Sequence, residues 1–191
     1  MHDTQWCHGG VGRIDCRRYA GGTGLLNREA LEELYDYTDF TWAVYGKMLE
    51  RLAPGRLTAP VEGSGWPSLA AALRHLLRIY DLWLNERFGA GTVVVANVAD
   101  VASWEAFQDW RTKVRETMRR VLDSTSDQEL SAPKQPGWRS SLKTPSDVVA
   151  HVLLHERGHH GDVSTLFFAL GVEMPTTDYG VYLHFKRRST P

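Results

Sequence analysis

Four stretches of this chain repeat their apolar residues at intervals of three and four, and that period restricts the fold to amphipathic helices. The first runs from Arg28 to Leu52 behind an Asn27 cap, with Leu31, Leu34, Tyr35, Trp42, Tyr45 and Leu49 on one stripe. The second follows Pro67 to about Phe88, and the third spans about Ser103 to Leu122. The fourth has the clearest ends: Thr144 as cap, Pro145 at the first helical position, Asp147 in the first turn and Gly171 as the stop. Only GTVVVANV, residues 91–98, reads as a strand or packed loop, and one strand cannot build a sheet. The expected class is all-α, a four-helix bundle with a long, Pro-containing connection from Ser124 to Lys143 between helices 3 and 4.

Residues 1–24 show no sustained period and read as a flexible arm, leaving a single domain over 25–191. A formal net charge of -1 gives no global basic field, so nucleic acid is not an expected partner. The pairs Arg119–Arg120 and Arg187–Arg188 read as solvated faces. No signal peptide or 18-residue uncharged run is visible, so no membrane partner is expected. The two cysteines, Cys7 and Cys16, supply neither a disulfide framework nor paired metal knuckles, which makes a reducing cytoplasm the expected location. Arg supplies 17 of the 22 basic residues, a bias in keeping with a GC-rich bacterial genome.

HVLLHERGHH, residues 151–160, holds four of the eight histidines. At about 100° per residue, with His151 at zero, His155 falls near 40° and His159 near 80°. Val152, Val163 and Leu166 lie at about 60° to 120° on the same wheel, so His155 and His159 are expected on the core-facing stripe. His151 falls at its edge, and His160, near 180°, is expected in solvent. Two inward imidazoles one turn apart both need partners, and a divalent ion satisfies both. His151 and His159 stand about 12 Å apart along the axis, so a third ligand is expected from another helix. Among the other helical segments only the second offers a histidine, His75; His2, His8 and His184 lie in irregular ends.

LYDYTDFTWAVYGKMLERL, LRHLLRIYDLWLNERF, HVLLHERGHHGDVSTLFFALG and PTTDYGVYLHF together resemble the DinB/YfiT-like superfamily of bacterial metal-binding four-helix proteins, over about residues 28–185. The resemblance implies a divalent metal, zinc, nickel, iron or manganese, on His75, His155 and His159. Where the family usually has Arg-Gly-Gln after the last ligand, this chain has His160-Gly161-Asp162, which leaves the role of the Gln position open. Relatives look like S-transferases using bacillithiol, mycothiol or glutathione, one branch includes a mycothiol-dependent isomerase, and many have no established activity.

The expected function is therefore a divalent-metal-dependent enzyme, a thiol S-transferase or hydrolase acting on a small molecule. The alternative is a non-catalytic metal or small-ligand binding protein of stress physiology. A cavity with the metal at its floor favours the first and a site closed by side chains the second. A homodimer is compatible with either. His155-Glu156-Arg157-Gly158-His159 is also a literal HExxH, in which Glu156 would be the general base of a zinc protease. Neither a downstream glutamate at the usual spacing nor a third histidine completes that pattern, so Glu156 is a weak catalytic candidate. Its competing readings are a bundle-edge ion-pair partner and a support behind the metal ligands.

Overall fold

The computed structural model describes residues 26–53, 55–87, 101, 103–133 and 142–189. The expected arm, Cys7, Cys16, His2, His8 and the 91–98 segment lie outside the described residues.

Every regular element described is helical. In chain order they are α1 (Arg28–Leu49), α2 (Leu69–Tyr80) with a π-helical continuation (Asp81–Arg87), α3 (Trp104–Ser124), a short α4 (Asp127–Ser131), α5 (Pro145–Ala169) and α6 (Tyr179–Ser189). The four long helices are those expected from the apolar period, with ends shifted by a few residues. Two further helices appear: α4 inside the expected connection, and α6 in the tail, where His184 was expected in irregular chain.

The starts follow local chemistry. Asn27, Ser68, Ser103 and Thr144 each accept a hydrogen bond from the backbone N–H three residues on, filling one of the donors a helix N-terminus leaves open. Thr144 and Asp147 cap reciprocally ahead of Pro145. At the far end of α5, Gly171 has φ +75°, the left-handed geometry a helix stop requires.

α5 packs against α1 and α2, and α3 closes against the same two helices. Leu31, Tyr45, Leu69, Leu73, Leu77, Phe107, Met118, Leu122, Leu153, Leu166 and Phe167 fill the space between them. Gly46, mid-α1, explains one close approach. A Cβ there would meet Trp104 Cζ2 at 3.0 Å, so the absence of a side chain seats that indole against the helix. α6 lies along α1, where Tyr182 packs on Tyr37 and Phe40, and Lys186 pairs with Glu33. No helix among the described residues is long and apolar enough to cross a membrane.

Candidate metal centre

α5 meets α2 along the line of His75, His155 and His159, and the three side chains turn toward one point. His155 Nε2 lies 3.0 Å from His75 Nε2 and 3.0 Å from His159 Nε2. The three candidate ligand atoms all fall within 4.8 Å of one another, and this group contains no carboxylate or thiol. Three imidazole nitrogens this close suit one ion with metal–nitrogen distances of about 2.0 to 2.1 Å. The donor set fits a borderline transition-metal ion far better than calcium or magnesium, which take oxygen ligands.

One of the three rings is held by a carboxylate. His159 Nδ1 lies 2.7 Å from Asp162 Oδ2, one turn along α5. A hydrogen on Nδ1 donated to Asp162 leaves the Nε2 lone pair facing His75 and His155, the tautomer a ligand needs. The same carboxylate oxygen accepts from Trp66 Nε1 at 3.0 Å, and the Trp66 ring packs on both His75 and His159, with centroids at 5.1 and 5.4 Å. Trp66 belongs to the loop before α2, which is thereby tied to α5. Burial pushes the Asp162 pKa up, but the hydrogen bonds from His159 and Trp66 outweigh it and hold the group below its ordinary value.

The imidazoles of His75, His151 and His155 are biased toward the neutral form. Burial is the largest cause lowering His155, and the nearby His159, His75 and His151 add to it, taking its pKa from 6.5 to about 4. Burial and then His159 lower His75, and burial lowers His151. The unfolded chain therefore binds more protons than the native one below pH 6.5. Stability from these groups is complete above that pH and is lost as pH falls toward 4. Urea midpoints of the metal-free protein are expected to be level at pH 7 and above and to drop between pH 6.5 and 5, before most carboxylates titrate. A midpoint that stays level to pH 5 would contradict this burial.

His151 and His160 are not part of the cluster. His151 is half-buried at the edge of α5, its ring set edge-on to Trp83 at 4.7 Å. His160, expected in solvent, is only 2% exposed and lies between the rings of Trp42 and Tyr45. The buried stripe of α5 includes Val149, Leu153 and Phe167, at about 160° to 200° on the wheel used above, as well as Val152, Val163 and Leu166. Its centre is turned toward His160 relative to the expectation. His155 and His159 accordingly sit half-buried at its margin.

Glu156 is 4% exposed. Its two carboxylate oxygens accept from Trp42 Nε1 and from the Tyr80 hydroxyl. Of its competing readings, the structure matches neither an edge ion pair nor a support behind the ligands: the group belongs to the core. His160 Nδ1 accepts from Arg157 at 2.6 Å, leaving a hydrogen for Nε2, which faces Glu156 Oε1 at 3.8 Å, beyond hydrogen-bond range. Burial raises the Glu156 pKa, yet His160, Arg111 and Tyr80 bring it below the carboxylate norm, so the group is a buried anion at neutral pH.

A cavity of about 540 Å³ reaches the cluster, with His155 and His151 on one side and Leu26, Leu142, Ala150 and Leu154 as walls. A larger groove, about 780 Å³, lies between α1 and α3. It has no histidine in its lining, and Asp39 there is paired with Arg111 and Arg115, so it lacks the chemistry gathered at α2 and α5.

The family model for DinB matches residues 26–190, covering every helix described above and all three clustered histidines. The chain belongs to the DinB family. No curated protein matches it closely enough to lend a named activity. The three histidines to which the resemblance pointed lie together between α2 and α5, in a group that could hold a metal ion. Asp162, at the position where the resemblance left a role open, has a defined contact with a DinB histidine. Trp66 had no signal in the sequence, because its partner lies 96 residues away.

Proposed function

We propose that this DinB-family chain is a divalent-metal-dependent protein acting on a small molecule, by thiol S-transfer or hydrolysis, with His75, His155 and His159 holding the ion on a bundle of four long helices. The observation that carries the reading is the convergence of three imidazoles beside a cavity that reaches His155. A divalent ion there supplies a Lewis acid that lowers the pKa of a coordinated water or thiol. The chain contributes the rest: Asp162 fixes the His159 tautomer, Trp66 covers two of the rings, and the α2–α5 contact sets their spacing.

Access through a cavity, in place of closure by side chains, favours an enzyme over a storage or sensing protein. An HExxH protease is disfavoured, because Glu156 is committed to Trp42 and Tyr80 and the described residues offer no strand to align a peptide. We place the protein in the cytoplasm.

Metal analysis of protein purified without an affinity tag is expected to give about one ion per chain. Screening the loaded form with low-molecular-weight thiols and activated esters then separates transferase from hydrolase. Inertness toward both classes would favour the non-catalytic binding protein.

The hydrogen bond from His159 makes a graded prediction. Asp162→Ala should weaken metal binding by about 10- to 100-fold, as loss of a carboxylate behind a ligating histidine generally does. Asp162→Asn keeps an acceptor oxygen and should lose less. Competition against a chromophoric chelator reads both; equal affinity in wild type and Asp162→Ala would show that the contact does not support the ligand.

A further inference from the structure

The cavity beside His155 has a chemical character of its own. Its walls are Leu26, Leu142, Ala150 and Leu154, and no Lys or Arg side chain is among its described lining residues. Two polar groups in its lining, Ser146 and Asp147, are already engaged. The Ser146 hydroxyl donates to the Leu26 carbonyl, and the Asp147 carboxylate accepts from the backbone N–H groups of Lys143 and Thr144. His151 differs. It lines the cavity one turn before His155, is held edge-on against Trp83, and has no hydrogen-bond partner among the described residues. A half-buried imidazole left with an open donor and acceptor is an unmet demand unless water or a ligand satisfies it.

We infer that this cavity receives the body of the substrate, that the substrate is an uncharged small molecule with an apolar body, and that His151 hydrogen-bonds its polar substituent while the reactive end lies toward His155. The assignment rests on the metal reading above. The apolar walls supply affinity without direction, and one polar side chain fixes orientation, which is the usual division of labour in small-molecule sites. Asp147 is the one carboxylate among the described lining residues, which include no Lys or Arg, and it works against carboxylate and sulfonate ligands.

The test uses the full chain loaded with Co(II), whose absorption reports sulfur coordination. Benzyl mercaptan and the anionic 2-mercaptoethanesulfonate are titrated first, then the 2-, 3- and 4-hydroxybenzyl mercaptans. Benzyl mercaptan is expected to bind at least about tenfold more tightly than the sulfonate, a preference that Ala150→Trp removes by filling the cavity while cobalt stays bound. One hydroxybenzyl isomer is expected to gain about tenfold over benzyl mercaptan, and His151→Phe, which keeps a ring against Trp83, should erase that gain alone. If cobalt binds but the probes show no apolar preference, or the hydroxyl gain survives in His151→Phe, the assignment of cavity and residue is overturned and the metal reading stands. If cobalt does not bind, both fall.

Discussion

Replacing His155 with alanine is expected to lower metal affinity by more than about 100-fold, a larger loss than removing a supporting group causes. Its Nε2 is the atom in contact with both other imidazoles, so the substitution leaves His75 and His159 with no shared neighbour at 3.0 Å. His75→Ala and His159→Ala should act in the same direction. His151→Ala is the proper control, because that ring lies outside the cluster and packs on Trp83. His160→Ala is not one, since it empties a buried position between Trp42 and Tyr45 and should cost stability before it touches the metal. Chelator competition on folded protein measures all five. Retained affinity in His155→Ala, or metal loss in His151→Ala, would remove the triad as the site.

Glu156→Ala is expected to destabilise the fold by about 3 kcal/mol or more. It strands two donors, Trp42 Nε1 and the Tyr80 hydroxyl, in the region where α1, α2 and α5 meet. Glu156→Gln should cost about 1 to 3 kcal/mol, because one of its terminal positions becomes an NH2 group facing a donor. Urea midpoints should fall with an unchanged slope, while metal stoichiometry of the folded fraction stays at the wild-type level. A protease base behaves in the opposite way: its Gln variant keeps stability and loses turnover. Full stability in Glu156→Gln would therefore return this residue to the list of catalytic candidates.

What could be read from the sequence was local. Asn27, Thr144, Pro145 and Gly171 announce helix ends through interactions that span three or four positions, and each is found in that role. His155 and His159 are legible for the same reason, and His75 followed because a third imidazole had to come from another helix. The orientation of α5 was less legible. Its apolar positions wrap widely, and a wheel centred on Val152, Val163 and Leu166 without Val149, Leu153 and Phe167 points His160 at water. The Trp66–Asp162 contact depends on where a loop lands across the molecule, and no short pattern encodes that. The π-helical continuation at Asp81–Arg87 was equally hidden, since one widened turn leaves the apolar spacing of the preceding helix unchanged.

The burial of Glu156 and His160 changes what the string HERGHH is. It is two interleaved pairs, each one turn long: 155 with 159 at the margin beside α2, and 156 with 160 inside the core. The resemblance to a zinc-protease signature is what such interleaving spells when written out in order. Substitutions in this segment have graded effects, because each pair serves only one of the two regions. Insertion or deletion of one residue between 156 and 159 does not, because it turns everything beyond it by about 100° and splits both pairs at once. Across a lineage, the length of this stretch should be held at least as firmly as its ligands and its core pair, Glu156 and His160.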